Sequence, residues 1–98
     1  MNRKETFEQD GFVAVPGFCD AGGLRTIEAE LSRFIAERVP ALPAEHVFYE
    51  DKADAATLKQ IQRLHEYDQF FGEFFEGKPR RLAGELLGEA VVGKNLQY

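Results

Sequence analysis

Ninety-eight residues with a net charge of −5 admit one domain with a modest core. Apolar residues make up 44% of the chain and charged residues 30%, which excludes a disordered or fibrous class. Met1–Tyr49 holds 5 basic and 8 acidic residues, net −3, and Glu50–Tyr98 holds 7 and 9, net −2, so neither half carries the basic footprint of a nucleic-acid binder.

In chain order, "KETFEQDG" reads as a short helix ended by Gly11, a residue that takes the left-handed conformation without a Cβ clash. "FVAVPGF" follows, with the strand formers Phe12, Val13 and Val15 and a turn at Pro16-Gly17. Asp20 is a helix N-cap for a long helix over Ala21–Arg38, whose apolar positions Leu24, Ile27, Leu31, Phe34 and Ile35 share one face. Gly22 and Gly23 weaken its first turn by about 1 kcal/mol each, so packing must hold it. Pro40 stops it. "VPALPAE" is a rigid connector rather than an SH3-type ligand.

"HVFYE" (His46–Glu50) reads as a strand and "DKADAAT" as a turn. "LKQIQRL" is open: Leu58, Ile61 and Leu64 recur every three residues as on a helix, while a strand would show Leu58, Gln60, Gln62 and Leu64 on one face. Phe70, Phe71, Phe74 and Phe75 form a helical aromatic stripe that reads as core. Pro79 and Gly88 bracket a helix over Pro79–Leu87, and Ala90–Tyr98 reads as a terminal strand. The order of elements gives an α+β class.

The N-terminus "MNRKETFEQD" lacks the apolar run of a signal peptide, and no run approaches the roughly 20 residues that span a bilayer. The single Cys19 excludes an internal disulfide and suits a reducing cytoplasm, so the expectation is a cytoplasmic protein without membrane partners. Cys19 beside Phe18 reads as a small packed hydrophobe, since no His or Lys adjoins it in sequence to activate the thiol.

Chemistry-bearing residues are sparse. His65, Glu66 and Asp68 in "LHEYD", with His46, Glu50 and Asp51, are metal-ligand types. On a helix His65 and Asp68 share a face; on a strand they diverge. The plainer reading is a polar strand end with Asp68 capping the next helix. Any site of two His and a carboxylate needs both histidines of the chain. Ser32 has no adjacent base and no G-x-S-x-G around it, and the glycines form no phosphate loop. Lys78, Arg80 and Arg81 are the only dense basic spot and read as a solvated helix start rather than a phosphate or CoA contact. Lys59, Gln60 and Gln62 can pair with or hydrogen-bond a carboxylate if their strand lines a cavity; otherwise they face solvent.

The order "FEQDGFVAVPGF", amphipathic helix, "HVFYEDKADAATLKQIQRLHEYD", Phe-rich helix and "LLGEAVVGKNLQY" resembles the N-terminal part of the phytanoyl-CoA dioxygenase family. The opening F-x-x-D-G-F-V-x-V-P-G-F and the L-L-G before a strand carry the resemblance, which covers essentially residues 1–98. It implies the N-terminal helices and first strands of a double-stranded β-helix, an incomplete barrel within a single partial domain. The implied parent is an Fe(II)- and 2-oxoglutarate-dependent oxygenase that hydroxylates a small organic or acyl substrate. The resemblance makes Leu58–Leu64 a strand, with Lys59 and Gln97 on the cosubstrate side.

The family's iron ligands, a His-x-Asp pair and a distal His, match no positions here, since "HEYD" is H-x-x-D and comes too early. The expectation is therefore an N-terminal piece of such an enzyme, with no tight Fe(II) binding and no turnover of its own. The alternative is a complete, non-catalytic binding or oligomerisation module of the same origin, with a homodimer formed through the terminal strand.

Overall fold

Short-range rules set most element ends. In the computed structural model, which describes residues Met1 to Tyr98, helix α1 spans Arg3–Asp10. Asn2 caps it by accepting from the Glu5 N–H at 2.8 Å, and Gly11 closes it at φ +80° with its N–H on the Phe7 carbonyl. Helix α2 spans Ala21–Glu37, and the Asp20 carboxylate accepts from the Gly23 N–H at 2.6 Å. Pro40 lies in the tight helical turn Val39–Ala41 that follows.

The segment between these helices corrects one expectation. Phe12–Val15 forms no strand. Strand-forming residues need a ladder partner, and no other segment pairs with them. The expected turn is present: the Phe18 N–H reaches the Val15 carbonyl at 3.2 Å and Gly17 sits at φ +72°, as a Pro-Gly type II turn requires.

Strands β1 (Val47–Tyr49) and β2 (Leu58–Ile61) pair antiparallel, with Val47 opposite Ile61, Phe48 opposite Gln60 and Tyr49 opposite Leu58. Lys59 is the extra residue, and the register breaks there as in a β-bulge. The bulge explains the threefold recurrence of apolar residues. Leu58 and Ile61 would face opposite ways on a regular strand, yet both pack on the core. Arg63 then takes a left-handed conformation, φ +59°, and starts the single turn α3 (Leu64–Tyr67). The ambiguous run is thus part strand and part helix.

Helices α4 (Gln69–Glu76) and α5 (Lys78–Leu87) follow. Asp68 caps α4 through the Phe71 N–H at 3.3 Å, and Gly88 ends α5 at φ +74°. The terminal segment is a second correction: only its last residues pair. Ile61 and Tyr98 exchange both backbone hydrogen bonds, at 3.1 and 2.9 Å, and the Leu64 N–H reaches the Leu96 carbonyl at 3.0 Å. This places β2 between β1 and the chain's last residues. Upstream, residues 90–95 form no strand, and Gly93 lies so close to α4 that a Cβ there would come 2.6 Å from Phe75 Cζ. The fold is α+β, and no helix is long and apolar enough to cross a membrane.

The core is small. Six residues are buried: Phe34, Val39, Val47, Ile61, Leu64 and Phe71. Phe34 and Phe71 meet edge to face with ring centroids 5.8 Å apart, a favoured aromatic geometry. Accessible surface is 6909 Å², against roughly 5,700 Å² for a compact chain of this mass. The radius of gyration is 15.9 Å, against about 13 Å for a compact domain of this length. The molecule is open for its size.

Candidate functional site

The polar run "LHEYD" is taken up by tertiary ties. His65 Nδ1 accepts the Leu96 N–H at 3.2 Å, and its ring packs on Phe75 with centroids 4.7 Å apart. His65 Nε2 lies 3.9 Å from a Glu66 oxygen. Tyr67 pairs through its hydroxyl with His46 Nδ1, and its carbonyl accepts from Arg38. Asp68 does more than cap α4: Arg33 Nη2 donates to both of its oxygens at 2.9 Å. Arg33 also donates to Glu30 at 2.7 Å. The hydrogen bond to Glu30, then the one to Asp68, raise the Arg33 pKa above its usual value.

His46 and His65 therefore do not meet over a shared carboxylate. Asp51 is likewise engaged in its own turn, accepting from the Ala53 N–H at 3.0 Å. No three His, Cys, Asp or Glu side chains converge on a point. The donor set present does not fit an iron centre, because His46, His65, Asp51 and Asp68 are held by separate partners and do not gather around one point.

Lys59 lies on β2, and Gln97 on the terminal segment beside it, through the pairing of Ile61 with Tyr98. Lys59, the bulge residue, is exposed and makes no side-chain hydrogen bond or ion pair. Gln97 Oε1 accepts from Gln60 Nε2 at 2.6 Å, so its amide hydrogens stay free to donate. A cation and an amide donor fit a carboxylate ligand chemically. The contact that forms, however, joins Gln97 to Gln60 and not to Lys59.

The basic spot on α5 is divided three ways. Arg80 turns back to Glu76 and donates to the Val91 carbonyl at 2.6 Å. Lys78 reaches the Phe18 carbonyl at 3.3 Å, with its ammonium 6.0 Å from the Phe18 ring centroid. Arg81 has no side-chain partner. Lys78 and Arg81 line an open cavity of about 510 Å³ together with the Val15–Phe18 turn, Leu82 and the Arg3–Glu85 pair. That pair is bidentate, with both contacts at 2.7 Å. Its hydrogen bond holds the Glu85 carboxyl below the usual range and raises the Arg3 pKa.

A second cavity, of about 320 Å³, shares Phe18 and Lys78 with the first and is lined further by Cys19, Ile27, Phe70 and Phe74. The fold thus places Lys78 and the half-buried Cys19, which has no basic neighbour in sequence, in the lining of one cavity. Sequence reading assigned Ile27 and the Phe stripe to core and Arg81 to solvent. The signal available was the first turn of α5, which carries cations and no acidic residue, against the preference of a helix N-terminus. Comparisons with known protein families, curated proteins and solved structures find no match for this chain.

Proposed function

We propose that the chain is the N-terminal wall of a double-stranded β-helix oxygenase that uses Fe(II) and 2-oxoglutarate and hydroxylates a small organic or acyl substrate. The supporting observation is the Ile61–Tyr98 pairing, which makes the strand carrying Lys59 and the segment carrying Gln97 neighbours in one sheet. The open shape and six-residue core also suit a part of a larger β core.

In this reading Lys59 supplies a cation and Gln97 an amide donor for a carboxylate of 2-oxoglutarate. Bound 2-oxoglutarate would supply the electrons for oxygen activation. The iron ligands belong to residues outside this chain, since those present do not fit the metal.

Two measurements test the reading. Anaerobic calorimetric titration of the chain with Fe(II) is expected to give no stoichiometric high-affinity complex, and finding one overturns it. The reading frame beyond the codon for Tyr98 is expected to continue into a His-x-Asp segment, and a stop codon there rejects the proposal. Protein from that longer frame should form succinate from 2-oxoglutarate, with a raised KM for 2-oxoglutarate in Lys59→Ala.

A second reading, a non-catalytic binding or oligomerisation module, draws on the surplus surface and on the outer edge of Leu96–Tyr98, which no strand covers. A monodisperse dimer on size exclusion, with Val91–Tyr98 protected from hydrogen exchange, would favour it.

A further inference from the structure

The two cavities that share Phe18 and Lys78 differ in character. One presents Phe18, Ile27, Phe70 and Phe74. The other presents Lys78 and Arg81. We propose that together they bind a small organic anion, with an apolar body of aromatic size against the four apolar side chains and its carboxylate or phosphate head between Lys78 and Arg81.

Charge supports this occupant. Of the carboxylates lining the two cavities, Asp20 is held by the Gly23 N–H and Glu85 by Arg3. Neither Lys78 nor Arg81 is in an ion pair, and the linings of the two cavities hold the cations Arg3, Lys78 and Arg81 against the carboxylates Asp20 and Glu85. The only hydrogen bond of Lys78 is long, 3.3 Å to a neutral carbonyl, and an anion offers a stronger acceptor. Both cations stand in the first turn of α5, where the helix dipole opposes them. Local rules are often broken at functional sites, and an anionic head there gives both cations a partner.

Size supports it as well. The apolar cavity, about 320 Å³, is at the lower end of small-molecule sites. It suits a one- or two-ring body. The half-buried thiol of Cys19 lies in its wall and reports occupancy. The proposal stands independently of the oxygenase reading.

The test uses 2-naphthoate, 2-naphthyl phosphate, the neutral 2-naphthalenemethanol and inorganic phosphate with the unmodified 98-residue chain. Binding is followed by amide shifts and by the rate of Cys19 alkylation. Expected results are saturable binding of both naphthyl anions, slower alkylation of Cys19, and shifts centred on Phe18, Ile27, Phe70 and Lys78. The neutral alcohol is expected to bind more weakly by about fivefold, the range of one exposed charge contact, and added salt to erode that difference. Lys78→Gln and Arg81→Gln should each weaken the anions by a similar factor, and Lys52→Gln should not.

Equal binding of the alcohol overturns the proposal. So do shifts scattered away from the groove, or tight binding of inorganic phosphate alone. The comparison of anion with alcohol needs no variant, so a Gln substitution that fails to fold leaves the test intact.

Discussion

The stretch from Phe34 to Phe71 and the pair formed by α1 and α5 are built on different principles. All six buried side chains fall in the first region; neither α1 nor α5 contains one. The inner region is held by apolar packing and by the Arg33–Asp68 tie. The outer pair is held by the exposed Arg3–Glu85 contact, with Lys78 on the Phe18 carbonyl fastening the intervening turn. Stability is therefore concentrated in one part of the molecule, and the cations Lys78 and Arg81 stand in the other, facing the apolar wall that Phe70 carries from the first. Binding elements are commonly drawn from the less stable parts of a fold.

The largest expected break in this contrast is Phe34→Ala. Phe34 is fully buried and packs edge to face on Phe71. Its loss should cost about 3–5 kcal/mol, a large share of the stability of so small a domain, read as a collapsed thermal or urea transition. Asp68→Ala comes next. It removes the cap of α4 and leaves Arg33 without its bidentate partner, and the cap alone is worth about 1 kcal/mol. Denaturant melts should show a lower midpoint with the inner hairpin still formed.

The smallest effect belongs to the outer pair. The folded chain holds the Glu85 carboxyl below its ordinary value of 4.5, so the unfolded chain binds more protons at acid pH. The contribution is present above the ordinary value and is lost as pH falls through the lowered one. Titration of Glu85 by NMR should show the depressed pKa, and Arg3→Gln should restore it with little change in the melt at neutral pH. A melt that falls as far for Arg3→Gln as for Phe34→Ala would dissolve the distinction between the regions.

Features governed by short-range rules were legible in the sequence. Asp20 and Asp68 start their helices and Gly11 and Gly88 end theirs as their residue types dictate, and Pro16-Gly17 turns the chain. Features that depend on a partner elsewhere were not legible. Val13 and Val15 have strand propensity but no strand to join. Leu58, Ile61 and Leu64 mimic a helical period because a bulge at Lys59 and a left-handed Arg63 intervene. Likewise, His65 and Asp68 in "LHEYD" are spent on Leu96 and Arg33, contacts that join residues far apart in the chain. The groove of Phe18, Ile27 and Lys78 exists only once three separate segments meet, so residue types and spacing pointed to it only through the misplaced charge on α5.

The pairing of the chain's last residues with β2 also implies an order of events in time. Gln60 and Gln97 stand 37 positions apart, while β1 and β2 are joined by a short turn. Loop-closure entropy favours the hairpin first. The segment over Phe75 can dock only after α3 has presented His65 and α4 that ring. Assembly then runs outward from the hairpin, and the Val91–Tyr98 strap docks onto surfaces that the hairpin, α3 and α4 have already formed.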